Sequence, residues 1–194
     1  MITVRRARAA DAVAIGAVHV AAWRSAYPGI LPDSYLANLS VTRQAAYYDA
    51  AIRGPNGVFV ATTAGANAPA ARPGTANNPR IVGFATVGRS RNGGELGRRL
   101  GEGEIETLYV LDDWREQGIG RRLMHAAAAH LADAGCQSVF LWVLRDNPSR
   151  WFYQHLGGKP AAEASIRFAG RSVMQTAFVW DPIDRLLAAS PQES

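Results

Sequence analysis

Residues 104–120 read Glu-Ile-Glu-Thr-Leu-Tyr-Val-Leu-Asp-Asp-Trp-Arg-Glu-Gln-Gly-Ile-Gly. An apolar strand, Ile105 to Leu111, runs into a polar turn that ends in Arg115-x-x-Gly118-x-Gly120, and a helix pattern follows. Such a turn delivers bare backbone N–H groups to the positive end of a helix, which suits a phosphate. The glycines matter because a Cβ would keep a ligand away from the backbone.

Two commoner phosphate loops are excluded. The chain contains no G-x-x-x-x-G-K-[ST], so it lacks a P-loop. Gly101 and Gly103 begin a G-x-G, but Glu106 stands where the third glycine belongs and a strand follows in place of a helix. That argues against a dinucleotide fold.

The remaining pattern resembles the pyrophosphate loop of the GNAT superfamily of acyl-CoA-dependent N-acetyltransferases. Leu108-Tyr109-Val110, just ahead of the turn, strengthens the resemblance. It implies acetyl-CoA as cosubstrate, held by Leu108, Val110, Arg115, Gln117, Gly118, Ile119, Gly120, Arg121 and Arg122.

At 194 residues, 48% hydrophobic and 19% charged, the chain is expected to form one domain with a full core. That domain spans 1–187, with a mobile loop over 64–79 and a frayed tail over 188–194. The longest apolar stretch, Ala12 to Trp23, is interrupted by His19 and is too short to span a membrane. The single cysteine, Cys136, excludes an internal disulfide and points to a reducing, cytoplasmic setting. The net charge of +5 fits either nucleic acid or a polyanionic small molecule. Arg121 and Arg122 oppose the helix dipole unless an anion is bound there, which favours the small molecule. Arg98 and Arg99 lie in a Gly-rich stretch and read as a solvated loop.

Along the chain, Ile2 to Ala7 reads as a strand and Asp11 to Tyr27 as a helix. A short helix follows Pro32, and Thr42 is expected to cap a third, to about Ile52. Strands follow at Val58–Thr63 and Ile81–Val87. The helix after the glycine turn spans about Ile119–Ala134 and closes at Gly135. Ser138–Leu144 is apolar throughout, as in a buried central strand. Asn147-Pro148 opens a short helix ending at Gly157-Gly158. Strands at about 162–168 and 173–180 are joined by the hairpin signal Ala169-Gly170-Arg171. The chain is therefore α+β, with a central strand–helix–strand unit and a C-terminal β-hairpin. The resemblance implies a mixed, mostly antiparallel central sheet flanked by helices, and it covers Ile2 to Trp180.

Acyl transfer to an amine needs a base for the amine proton, a donor for the developing oxyanion, and an acid for the leaving thiolate. Glu104 and Glu106 are the base candidates; alternation puts them on one strand face with Leu108 and Val110. Glu104, in Gly103-Glu104-Ile105, is the closer match to the family's catalytic glutamate. The bland reading is two solvated carboxylates. The segment Asn147 to Gly158 resembles the family's second CoA motif, which implies that Tyr153 protonates the sulfur and Asn147 meets the pantetheine arm. Asn147 stands one residue closer to the tyrosine than in many members. The family's strand bulge implies oxyanion stabilisation by a backbone N–H near Val110.

Cys136 follows a helix C-terminus, where the dipole discourages thiolate, and reads as structural. His125 and His130 are five apart and miss the i, i+4 spacing, so no metal is expected. Trp23, Tyr27, Tyr35, Arg167 and Arg171 are candidates for the acceptor pocket, the arginines hinting at a carboxylate-bearing acceptor. A small-molecule amine or a peptide is the expected acceptor, without nucleic acid or membrane, and a homodimer accords with the family's habit. A non-catalytic acyl-CoA-binding module is the rival reading.

Overall fold

The computed structural model describes residues 1–63, 79–90 and 100–190. The expected loop over 64–79 (apart from Pro79), Arg98, Arg99 and the last four residues lie outside them.

Among the described residues, seven strands form one sheet in the order β1-β2-β3-β4-β5-β7-β6. They are β1 (Ile2–Arg6), β2 (Gly57–Thr63), β3 (Arg80–Arg89), β4 (Gly103–Val110), β5 (Val139–Leu144), β6 (Lys159–Phe168) and β7 (Arg171–Trp180). Only β4 and β5 run parallel; every other neighbouring pair is antiparallel. The architecture is α+β, a mixed and mostly antiparallel sheet with helices on both faces.

The α-helices that lie wholly among the described residues are α1 (Ala12–Ala26), α2 (Asp33–Ala37), α3 (Val41–Arg53), α4 (Ile119–Asp133), α5 (Arg150–His155) and α6 (Asp184–Ala189). On one face, α4 presses Ile119 and Leu123 against Ala61, Val82 and Ala85. It presses Met124, Ala128 and Leu131 against Ile105, Val139 and Leu141. On the other, α1 and α3 bring Ile15, Val18 and Tyr48 onto Val58, Val60 and Phe84. Two-residue alternation separates Val58 and Val60 from Ala61 on β2; on β3 an extra residue, Val82, shifts the alternation, so Val82 and Ala85 share the α4 layer while Phe84 takes the other.

Several ends are set by local chemistry. Gly135, at φ +84°, closes α4. Cys136 N–H donates to Leu131 O at 2.9 Å and Gly135 N–H to Ala132 O at 2.8 Å, the paired bonds of a Schellman cap. Ser40, not Thr42, caps α3: its Oγ accepts from Arg43 N–H at 3.3 Å. The β6–β7 turn is tighter than the sequence suggested. Ala169 and Gly170 both take positive φ, 48° and 80°, as a two-residue hairpin loop requires. The C-terminus also stays ordered past Leu187, since α6 reaches Ala189 and the fully buried Ser190 donates back to Leu186 O.

Candidate active site

β4 carries an extra residue. Thr107 pairs with Thr86 and Ile105 with Val87, leaving Glu106 without a partner on β3. Such a bulge reverses which side chains share a face. Before it, Gly103 and Ile105 face α4, where a Cβ on Gly103 would meet Leu131 at 2.9 Å. After it, Leu108 and Val110 face α4, while Thr107 and Tyr109 turn to the α1 and α3 side. The expectation that Glu104 and Glu106 share a face with Leu108 and Val110 is thus wrong. Strict alternation cannot foresee an inserted residue.

β4 and β5 then part. They pair only at Gly103↔Val139 and Glu104↔Phe140, although β5 continues to Leu144 and β4 to Val110. The facing edges from Ile105 to Val110 and from Leu141 to Leu144 line a cavity of about 690 Å³. Backbone groups on such an opened edge are free to bond a ligand.

At one end of the cavity is the glycine turn. Gly118 takes φ +74°, a left-handed conformation that a side chain resists, and no heavy atom lies within 4 Å of a Cβ built there. It precedes α4 without any side-chain cap, so the N–H groups of the first turn have no intrahelical acceptor. A Cβ on Gly120 would meet the Phe152 ring at 3.2 Å. Arg115, Gly118, Ile119, Gly120 and Arg121 line this end. Arg115 is held by Asp112 at 2.8 Å, which gives Asp112 a turn-shaping role. Gln117 and Arg122 are not in the lining. Gln117 Nε2 donates to Asp113 O at 3.3 Å, and Arg122 Nη1 donates to Ile2 O at 3.1 Å, tying α4 to β1.

Of the titratable candidates, Tyr153 and Glu106 line the cavity. Tyr153, from α5, is buried and lines it. Burial, followed by the neighbouring Tyr27, pushes its hydroxyl well above the ordinary tyrosine range, so at neutral pH it is a protonated donor. Asn147 is also buried and lines the cavity. Its Oδ1 accepts from Ser149 N–H at 2.9 Å, and its side chain bonds the Tyr27 hydroxyl. Glu106 lines the cavity and Glu104 does not. Desolvation raises both carboxyls above the usual value; for Glu104 the nearby Glu106 adds to the rise, and for Glu106 a hydrogen bond from Thr86 opposes it.

Sequence reading missed the network behind Glu106. Thr86 Oγ1 donates to Glu106 Oε2 at 3.4 Å and lies 2.8 Å from Thr107 Oγ1. Thr107 bonds the buried Tyr48 hydroxyl, which lies 2.7 Å from His19 Nδ1. His19 is 7% exposed, and burial lowers its pKa to about 4. Asn56 Nδ2 reaches the other Glu106 oxygen at 3.3 Å. The partners come from α1, α3, the connection from α3 to β2, β3 and β4, so no local spacing could signal them.

Of the acceptor-pocket candidates, Trp23 and Tyr27 line the cavity beside Tyr109, Trp142 and Phe168. Tyr35 packs on Trp23 and Phe168 from behind. Arg167 and Arg171 are exposed and outside the lining. Ile166 and Phe168 occupy the inward positions of β6, which removes the basis for the carboxylate hint. Cys136 is buried in the core beneath α4, and desolvation raises its thiol, against a nucleophilic role. No helix among the described residues is long and apolar enough to cross a membrane.

Comparison with known proteins places this geometry. The family model for the acetyltransferase (GNAT) family matches residues 26–157. An uncharacterized N-acetyltransferase of Bacillus subtilis (strain 168), YuaI, is 32% identical over 96% of each chain. Among solved structures, the PaiA N-acetyltransferase of Thermoplasma acidophilum in complex with coenzyme A superposes with TM-score 0.64. It covers 90% of this chain and 98% of that one at 17% identity. The yncA structure from Salmonella typhimurium with its cofactor acetyl-CoA gives 0.61 over 93% of each chain at 19% identity. The strand–glycine turn–helix, the parted β4 and β5, and these matches together make the chain a member of the GNAT acetyltransferase family and hence an acyltransferase.

Proposed function

We propose that the protein moves an acetyl group from acetyl-CoA to a primary amine by direct attack within a ternary complex. The observation that carries this is the single cavity joining the uncapped start of α4, the parted β4–β5 edges, Tyr153 and Glu106. The first-turn N–H groups of α4, with Gly118, Gly120 and Arg121, fit a pyrophosphate: they combine unpaired donors, a positive dipole and no obstructing side chain. The open edge around Leu108 and Val110 fits the pantetheine amides, with Asn147 close by. When bound, acetyl-CoA supplies an activated thioester.

Glu106, held by Thr86 and Asn56, draws the proton from the amine, directly or through water. Its raised pKa makes it a better base than an ordinary carboxylate. A backbone N–H near Val110 stabilises the oxyanion that develops. Tyr153 Oη–H gives its proton to the leaving sulfur. Glu104, the sequence's first choice of base, is demoted because it lies outside the cavity lining.

The experiment is acetyl-CoA-dependent release of free CoA thiol across a panel of amines, amino acids, polyamines and short peptides. Saturable release with at least one amine supports transfer; acetyl-CoA binding without release to any acceptor would mark a binding module instead.

A further inference from the structure

The acceptor half of the cavity differs in chemistry from the end near the glycine turn. Among the described residues, the charged side chains lining the cavity are Glu106, Arg115, Glu116 and Arg121. The last three belong to the glycine turn and its helix, so Glu106 alone brings charge to the opposite half.

The cavity that Glu106 lines is also walled by rings. Trp23 comes from α1, Tyr27 from the residue that ends it, Tyr109 from β4, Trp142 from β5 and Phe168 from β6. The ring of Trp23 is the hub, with centroids 4.9 Å from Tyr27, 5.5 Å from Phe168 and 6.3 Å from Tyr109. His19 stacks on its far side at 4.9 Å, and with a pKa of about 4 it is neutral at physiological pH. The β6 register turns Ile166 and Phe168 inward and leaves Arg167 exposed. Along this strand, the one cation within reach is carried away from the cavity by the two-residue alternation.

A wall of aromatic faces with one carboxylate attracts a cation and repels an anion. Ammonium groups gain from ring quadrupoles, and a partly desolvated carboxylate amplifies the discrimination. We propose that the acceptor is a primary amine on an apolar or aromatic body with no carboxylate beside the amine. Free α-amino acids are thereby disfavoured. The inference rests on the acetyl-transfer reading of the cavity, which it narrows.

The test compares phenethylamine with phenylalanine, which differ by the carboxylate alone. Both are titrated calorimetrically into CoA-loaded protein and assayed for acetyl-CoA-dependent thiol release. Phenethylamine is expected to bind about tenfold tighter or more, since a carboxylate near Glu106 meets like charge in a low-dielectric wall. Phe168→Arg, on the edge strand β6, is expected to cut that preference about tenfold by giving the carboxylate a partner. Equal binding, a preference for phenylalanine, or failure of both to bind at millimolar concentration would overturn the proposal. Preferential binding of the amine, with no thiol release from it or from any acceptor of the panel, would uphold this inference and sink the acetyl-transfer reading instead.

Discussion

Glu106 and Thr107 are consecutive in the chain, yet both reach the hydroxyl of Thr86, at 3.4 Å and 2.8 Å. In a regular strand, neighbours point to opposite faces. The bulge in β4 removes that constraint and sets a carboxylate and a hydroxyl side by side. The carboxylate gains the cavity, and the threonine links it to Tyr48 and His19 on the helical layer.

Glu106→Gln is expected to lower kcat by about 10²–10⁴-fold, the usual range for a positioned general base, with little change in KM for acetyl-CoA. Glu104→Gln should cost far less, being outside the cavity lining. Steady-state kinetics with one good acceptor separates the two.

The pH dependence has a definite sign. With Glu106 as the proposed base, kcat/KM is expected to fall as pH drops through its pKa. Desolvation lifts that pKa, and the bond from Thr86 opposes the lift. The Glu104 carboxylate and the Tyr47 and Tyr48 hydroxyls also face Glu106. Thr86→Val deletes the opposing donor while keeping the β-branched shape. The acid limb of its profile should move to higher pH, with the plateau reached later.

His19 ties pH to stability. Its folded pKa of about 4 lies below the ordinary 6.5, so the unfolded chain binds more protons between those values. Its contribution is therefore fully present above about pH 6.5 and is lost as pH falls toward 4. The gap corresponds to at most about 3 kcal/mol. Denaturant unfolding from pH 7 to pH 4 should show a steeper loss in the native protein than in His19→Gln.

The parts of this site legible in the sequence were the local ones. Strand, glycine turn and helix are contiguous from Glu104 to Asp133, and the left-handed φ of Gly118 and Gly135 follows from residue type. The short helix that carries Tyr153 was readable from the Asn147-Pro148 before it and the Gly157-Gly158 after it. The side taken by Glu106 was not, because a bulge depends on how β3 and β4 settle into register, not on either strand alone. His19 and Tyr48 are 29 residues apart, and their pairing is a property of how α1 and α3 pack. Phe168 faced inward, and Arg167 outward, for a reason set by pairing with β7.

Close packing around the proposed acid has its own consequence. A Cβ on Gly158 would lie 2.6 Å from Trp180 Cζ2 and 2.9 Å from Tyr153 O. Trp180 is fully buried and its Nε1 donates to Leu156 O at 2.7 Å, so it has little freedom to retreat. Gly158→Ala should destabilise the fold by about 1–3 kcal/mol and reduce turnover by shifting the Tyr153 backbone. Thermal unfolding and thiol release, measured on the same sample, check both.

The account stands most directly on Tyr153, the buried tyrosine that lines the cavity and is its proposed acid. Thiol release by Tyr153→Phe, with the best acceptor and saturating acetyl-CoA, is the measurement that tests it. The account predicts a kcat lower by about 10²-fold or more, with acetyl-CoA affinity and thermal stability near those of the native protein. Full turnover by Tyr153→Phe would contradict it, because no donor would then be needed from the position the cavity gives this tyrosine.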